Sequence, residues 1–264
     1  MKLYVSADIE GTTGITLWDE TENGHSRYAY FQQQMTKEVA AACQGALDAG
    51  CCDILIKDAH DSACNLIPSM LPEEVRIFRG WGSDIMSMMA GLEKDYDGVF
   101  FTGYHSGAGM DTNPLSHTMN TRNNYVRING MIAPELMINS LTAAYLGVPV
   151  RLVTGDKGLC DWMNAVNPNI ETVAVSEGRG RGSISIHPNK ALRLIREAAE
   201  RAVKKDGANC MFPLPEHFMV EISFKDHFRA KGASYPGVVQ TGPASVAFEA
   251  DDWMDVLRML DNVL

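Results

Sequence analysis

The sequence predicts an α/β fold: a mainly parallel sheet flanked by helices, with a small antiparallel insertion and an α+β C-terminal part. Three observations lead there. Apolar runs of strand length alternate with helical patterns through the first 155 or so residues. Three of those runs end in clusters of acids and histidines, as strands of parallel sheets do where ligands bind. Beyond them lie longer strand patterns paired with amphipathic helices, which read as α+β.

Taken in order, residues 3–7 form the first strand. The spacing then predicts a helix over 28–49, with Met35, Val39, Ala42 and Ala46 on one stripe and Gly50 suited to a left-handed cap. A strand over 53–57 completes a βαβ opening. Strands follow at 75–78, 99–102 and 148–154, and helices at 83–93 and 134–146. Between them, His117-Thr118-Met119 and residues 125–128 flank Asn-rich turns, and Asn129-Gly130 is a strong hairpin signal, which places the antiparallel insertion. The C-terminal part has a strand at 172–175, a helix opened by His187-Pro188 and running to Lys205, strands at 218–224 and 245–249, and a closing helix from Asp251. The expected division is residues 1–160 as an α/β metal-binding catalytic domain and 161–264 as a C-terminal α+β subdomain. Residues 176–183, rich in Gly and Arg, read as a surface loop or a substrate loop.

Composition narrows the function classes. A 264-residue chain that is 45% hydrophobic and 21% charged can bury a large core. A net charge of -10 lacks the basic footprint that nucleic acid or an anionic membrane requires. No run approaches the roughly 18 apolar residues of a membrane span, and Asp8 arrives too soon for a signal peptide, so the expected location is cytoplasmic. The six cysteines show no Cys-x-x-Cys pairing and read as reduced and mostly buried. Cys64, four residues after His60, has no neighbour that clearly lowers its pKa.

The chemistry concentrates at strand ends. On an extended strand Asp8 and Glu10 project from one face with Cα atoms roughly 6.5 Å apart, and two carboxylates that close repel unless a cation sits between them. They read either as metal ligands or as solvated acids before a Gly-rich turn. The second run ends in Asp58-Ala59-His60-Asp61 and another in Gly103-Tyr104-His105, each with metal-competent side chains. His117 and Glu135 complete the candidates, although a carboxylate in the first turn of a helix is also favoured by the helix dipole. His25, His187, His217 and His227 lack neighbouring acids at strand ends and are left out.

With these residues assembled, the chain resembles the zinc-dependent D-aminopeptidase family, the M55 peptidases. The carriers span most of the sequence: Ser6-Ala7-Asp8-Ile9-Glu10-Gly11, Asp58-Ala59-His60, Gly103-Tyr104-His105, Ser116-His117-Thr118-Met119, Asn129-Gly130 with Glu135-Leu136 and Asn139, and Val148-Pro149-Val150 with Gly155-Asp156. The resemblance implies two Zn2+ per chain, with Asp8 bridging, Glu10 and His105 completing one ion and His60 and Glu135 the other. It implies His117 as the catalytic side chain and a homodecamer enclosing its active sites. The implied reaction releases N-terminal D-amino acids, such as D-Ala, from short peptides by a zinc-activated hydroxide. Asp58 and Asn139 are cast as groups that orient a ligand histidine or hold water. Ser106-Gly107-Ala108-Gly109 and the Gly178 to Gly182 loop depart from the family pattern, which puts the substrate range in question.

Two other readings compete. Asp8-Ile9-Glu10-Gly11-Thr12 also looks like the Asp-x-Asp-Gly-Thr opening of haloacid-dehalogenase-type phosphatases, with Asp8 as nucleophile, Mg2+ as cofactor and Thr154-Gly155-Asp156-Lys157 as a late acidic motif. That reading has Glu10 where it needs a second Asp, and it gives His60, His105 and His117 nothing to do. A non-enzymatic binding or assembly module would have a closed ligand set with no place for water.

Overall fold

The computed structural model describes all 264 residues. A seven-stranded sheet forms one layer. It contains β1 (Lys2–Ala7), β2 (Asp53–Asp58), β3 (Val75–Phe78) and β4 (Gly98–Tyr104). A hairpin of β5 (Asn123–Ile128) and β6 (Met131–Ile132) follows, then α2 (Glu135–Tyr145), which is preceded in the chain by α1 (Tyr28–Asp48). The chain returns to the first sheet through β7 (Val150–Asp156), α3 (Lys157–Val166), β8 (Glu171–Arg179) and β9 (Gly182–Ser185). It closes with α4 (Pro188–Lys204), β10 (Phe218–Phe224), α5 (His227–Gly232), β11 (Val239–Gly242), β12 (Ser245–Ala250) and α6 (Trp253–Val263). The first sheet has the order β3-β2-β1-β4-β7-β8-β9 and is parallel except for the β8–β9 pair. A separate antiparallel sheet has the order β11-β12-β10-β5-β6.

Alternation along β1 explains the two cores. Leu3, Val5 and Ala7 join one core with Met35, Val39, Ala42 and Ala46 of α1 and Ala198 and Ala202 of α4. Tyr4 faces the other, with Phe101, Leu136 of α2, Val220 of β10 and Trp253 of α6. Both faces of the strand are therefore buried, which is why its sequence is a continuous apolar run. Each fully buried aliphatic side chain contributes about 1.5–3 kcal/mol. Gly45 lets α1 and α4 touch, since a Cβ there would lie 2.2 Å from the Arg196 carbonyl oxygen. Trp253 is wholly buried, and its indole N–H donates to Thr142 at 2.9 Å, joining α6 to α2.

The mainly parallel sheet and the accompanying antiparallel part agree with expectation. The stripe of α1 is buried as expected and Gly50 has φ +93°. Asn129 and Gly130 both have positive φ (50° and 79°), the signature of a type I′ hairpin turn. The helix expected over 83–93 does not form; only a 3-10 turn at Ser87–Met89 is present. There the Met88 carbonyl accepts from the Ser6 hydroxyl at 2.9 Å and the Ala90 carbonyl from Tyr4 at 2.9 Å. Acceptors a helix would use internally are thus taken by side chains of β1. The Gly- and Arg-rich stretch is neither of the loops expected but the β8–β9 hairpin, turning at Gly180 with φ +60°. The sequence reading also missed α3, α5 and β11.

Candidate metal centre

β2, β1 and β4 are adjacent and parallel, with Ala7 opposite both Asp58 and Thr102, so their carboxyl ends lie side by side. That register brings Asp8, His60 and His105 together from three separate stretches of chain. Glu135 comes from the first residue of α2, and Glu10 and His117 from loops. The turn after β1 lies against the end of β4: the Gly11 N–H donates to the Gly103 carbonyl at 2.8 Å, and a Cβ on Gly11 would stand 1.8 Å from the Tyr104 carbonyl oxygen. Gly103 has φ +68°, and a Cβ there would meet the Asp8 carbonyl at 2.2 Å. Gly11→Ala is therefore expected to push β1 and β4 apart at the site, costing about 1–3 kcal/mol or more and displacing Asp8 and Glu10; denaturant midpoints and metal content measure both.

All five predicted ligand residues, and His117 beside them, converge on one volume. His60 Nδ1 lies 3.3 Å from Asp8 Oδ1 and 3.2 Å from Glu10 Oε2. His105 Nε2 lies 3.5 Å from Asp8 Oδ2, 3.6 Å from Glu135 Oε2 and 4.0 Å from Glu10 Oε2. His117 Nε2 lies 3.7 Å from Glu135 Oε1 and 3.9 Å from Glu10 Oε1. Three sets have all their donor atoms within 4.8 Å of one another: Asp8-Glu10-His60, Asp8-His105-Glu135 and Glu10-His105-His117. The resemblance implied Glu10 with His105 and His60 with Glu135; Glu10 and His105 share the third of these sets, whereas His60 and Glu135 share none. By distance Glu10 lies nearer His60 (3.2 Å) than His105 (4.0 Å), and Glu135 lies 3.6 Å from His105.

Each histidine spends its outer nitrogen on a main-chain carbonyl. His60 Nε2 meets Thr21, His105 Nδ1 meets Ser106 and His117 Nδ1 meets Leu115, each at 2.9 Å. A carbonyl only accepts, so these nitrogens carry protons and the inner nitrogens face the cluster, where a neutral ring presents its lone pair. Asp8 Oδ2, Glu10 Oε2 and His105 Nε2 are buried without a hydrogen-bond partner. Three orphaned donor atoms turned toward one another, all oxygen or imidazole nitrogen, fit a divalent cation such as zinc.

Burial and then Glu10 push the Asp8 carboxyl up to about 8. Burial would also raise Glu10, but the His60, His105 and His117 rings outweigh it and hold Glu10 well below the usual range. Glu135 is lowered against burial by His105 and His117. Against burial, Glu10 and Asp8 raise His60, and Glu135, Glu10 and Asp8 raise His105. His117 moves the other way, lowered by burial and by His105.

A cavity of about 430 Å³ opens above the cluster, with Trp18, Thr21, Glu22, Asp61, Trp81 and Met119 among its walls. Of these six, the sequence reading names only Asp61 and Met119, as neighbours of His60 and His117; the placement of the others depends on loop paths. The His117 ring is stacked on His105 (centroids 4.3 Å apart, 7°) and backed edge-on by Trp18 at 5.1 Å. Wholly buried Lys57 donates to the Asp58 and Gly80 carbonyls at 2.8 Å and lies 4.3 Å from the Trp81 ring, fixing that wall.

Asp58 touches no ligand ring. Its carboxylate accepts from the Asn65 and Leu66 N–H groups at 2.6 and 2.7 Å, and Asn65 donates to the His60 carbonyl at 2.6 Å, so Asp58 shapes the loop that carries His60. Asn139 donates to Tyr104 at 2.9 Å, and Tyr104 bonds Ser6 at 2.7 Å, a network beneath the cluster rather than in it. Asp156 caps α3 through Leu159 and accepts from the Ser106 N–H and hydroxyl at 2.6 Å, which steadies the backbone after His105. With its oxygens so engaged it is no phosphatase acid, and the phosphatase reading is not favoured. Cys43, Cys51, Cys160 and Cys210 are buried, Cys52 and Cys64 exposed, and none is bridged.

Comparison with known proteins gives the same direction. Residues 1–262 match the family model Peptidase M55, described as D-aminopeptidase. The chain is 30% identical over 266 residues to a D-aminopeptidase of Bacillus subtilis (strain 168), covering 98% of this chain and 95% of that protein. Its fold superposes with a TM-score of 0.91 on the Zn-dependent D-aminopeptidase DppA from Bacillus subtilis, a self-compartmentalizing protease, at 29% identity and over 98% and 95% of the two chains. The chain belongs to the M55 peptidases, the D-aminopeptidase family.

Proposed function

We propose that this enzyme releases N-terminal D-amino acids such as D-Ala from short peptides, using two Zn2+ held by Asp8, Glu10, His60, His105 and Glu135, with His117 as the catalytic side chain. The observation that carries this reading is the set of orphaned donors, Asp8 Oδ2, Glu10 Oε2 and His105 Nε2, facing one another beneath an open cavity that Asp8 and Glu10 line. The zinc dependence of DppA, with which this chain shares 29% of its residues, supports the choice of metal. Asp8 offers Oδ1 toward the Glu10-His60 side and Oδ2 toward the His105-Glu135 side, which suits a bridge. Zinc bound in such a site supplies a Lewis acid for the scissile carbonyl and lowers the pKa of its water to about 7.

His117 does the proton work. Its Nδ1–H is tied to Leu115, its Nε2 faces the cavity floor, and its lowered pKa keeps it neutral near pH 7. Nε2 therefore accepts a proton from the attacking water and returns it to the leaving amine. Trp18 and His105 hold the ring between them, so little reorientation accompanies the transfer. The rim acids Glu22 and Asp61 attract the free α-amine, while the Trp18 and Trp81 walls limit the water that reaches the scissile bond.

The same reading extends to assembly and location. A homo-oligomer, a decamer by family resemblance, would enclose these cavities, in keeping with the self-compartmentalizing DppA. No helix is long and apolar enough to cross a membrane, and the proposed location is the cytoplasm.

Chelator-sensitive release of D-Ala from D-Ala-D-Ala, with about two zinc per chain by metal analysis and no hydrolysis of a phosphate ester, is the expected result. A magnesium-dependent phosphatase without zinc would overturn the proposal. Zinc binding is further expected to weaken as pH falls below about 8, because Asp8 at about 8 and the raised His60 and His105 must give up protons to the metal. Each displaced proton costs about tenfold in apparent affinity per pH unit; zinc titrations in buffers of different ionisation enthalpy count those protons, and an affinity flat between pH 6 and 8 would contradict the ligand set.

A further inference from the structure

A second, apolar pocket of about 190 Å³ adjoins the cavity over the cluster. The two share Ser87, Met119 and Asn120 as a common wall. Beyond that wall the lining is Ile85, Met86, Ile138, Leu257, Leu260 and Leu264. At this size it suits one side chain rather than a whole ligand, since drug-sized ligands occupy about 300–1,000 Å³.

The partition is mechanically tied to the cluster. The Met119 N–H donates to Glu135 Oε1 at 2.6 Å, so the residue whose side chain walls the second pocket has its main chain on a metal-ligand candidate. Met119 and Ser87 both hold left-handed backbone, with φ 62° and 49°. Such conformations are disfavoured for residues with a Cβ and persist where the surroundings impose them.

Charge gives the two cavities a direction. The carboxylates of Glu22 and Asp61 line the first and not the second. Arg122 lines the second and is the only lysine or arginine on either. Its guanidinium donates from Nη2 to a carboxyl oxygen of Leu264 at 2.7 Å and from Nε to Asn120 Oδ1 at 3.3 Å, which leaves the two Nη1 N–H groups and one on Nη2 for a ligand. Asp261 shares the pocket but forms no ion pair with it.

We infer that the second pocket binds the residue on the leaving side of the scissile bond, taking an apolar side chain against Ile85, Leu257 and Leu260 and pairing its free carboxylate with Arg122. The preferred substrate is then a dipeptide whose second residue is apolar and ends in a free acid. This rests on the aminopeptidase reading, which supplies the bond above the cluster and the amine end at Glu22 and Asp61. No new covalent step is involved: the pocket orients the leaving residue, so Arg122 is a positioning residue.

The test uses zinc-loaded enzyme and four substrates: D-Ala-D-Leu, its C-terminal amide, D-Ala-Gly and D-Ala-p-nitroanilide. Wild-type kcat/KM is expected to be at least about tenfold higher for D-Ala-D-Leu than for the amide or for D-Ala-Gly. Arg122→Gln should bring the acid-to-amide ratio to about one, and Ile85→Trp, which fills the pocket, should do the same for the D-Leu-to-Gly ratio. Calorimetry with free D-Leu gives a readout apart from turnover, with binding at least about tenfold weaker in both variants. Wild-type ratios near one, or variants that slow all four substrates alike, would overturn the subsite even while D-Ala-p-nitroanilide turnover upholds the aminopeptidase. Absence of all hydrolysis with intact, Arg122-dependent D-Leu binding would instead sink the aminopeptidase reading and keep the pocket. A change in assembly size in Ile85→Trp with the substrate ratios retained would assign the pocket to another copy of the chain and overturn the inference.

Discussion

Asp8→Asn is expected to empty both zinc positions and reduce D-aminopeptidase activity to background. The substitution keeps the volume of the side chain but replaces one anionic oxygen with an NH2 group, which donates where a metal ligand must present a lone pair. Asp8 directs Oδ1 toward His60 and Oδ2 toward His105, at 3.3 and 3.5 Å, so either orientation of the amide spoils one half of the site and weakens the other by loss of charge. Folding should survive. Burial raises the Asp8 carboxyl to about 8, so a neutral side chain suits that position in the metal-free protein at least as well as the carboxylate does. Glu10→Gln is the internal control: Glu10 pairs with His60, and its loss should remove about one of the two ions. Metal analysis with circular dichroism decides, and an Asp8→Asn protein that retains both ions would end the bridging assignment.

His117→Ala is expected to leave the metal content at the wild-type level and lower kcat about 10²- to 10⁴-fold, the range for loss of a positioned acid–base group. Geometry makes the outcome informative, because His117 Nε2 also belongs to a donor set with Glu10 and His105. Were it a ligand in that set, the alanine variant would lose an ion together with its activity. The wild-type rate should also fall at low pH as the neutral ring is protonated, and because the His117 pKa is lowered, that loss should come below the ordinary histidine range. The alanine variant should lack this limb. An unchanged rate would remove His117 from the mechanism.

Much of the candidate site's convergence could be read in the sequence because its residues sit at predictable places: at or just beyond the carboxyl ends of three parallel strands and in the first turn of a helix. Periodicity located the strands, and the chemical types of Asp8, Glu10, His60, His105 and Glu135 did the rest. Which of these side chains lie nearest one another was not legible, since that depends on whether β2 or α2 stands nearer Glu10, a relation set by packing. The helix expected over 83–93 failed for a similar reason: Tyr4 and Ser6, some eighty residues away, take its carbonyls. The Gly- and Arg-rich stretch misled because glycine serves both loops and tight contacts. In the folded chain Gly178 packs against Thr112, where a Cβ would lie 2.5 Å from the carbonyl oxygen. Of the cavity walls, Trp18 opens a three-residue 3-10 turn and Trp81 sits in a loop, neither with a periodic signature.

The outer nitrogens of His60, His105 and His117 all end on main-chain carbonyls, those of Thr21, Ser106 and Leu115. Every amino acid carries that carbonyl, so the hydrogen bond that aims each ring does not itself require a particular side chain at position 21, 106 or 115. Of the three, Thr21 lines the cavity and can be exchanged to reshape it while the His60 ring stays pointed inward, whereas the Ser106 hydroxyl is held by Asp156 and Leu115 is packed in the core. Substrate preference can thereby change at position 21 without loss of the hydrogen bond that aims His60.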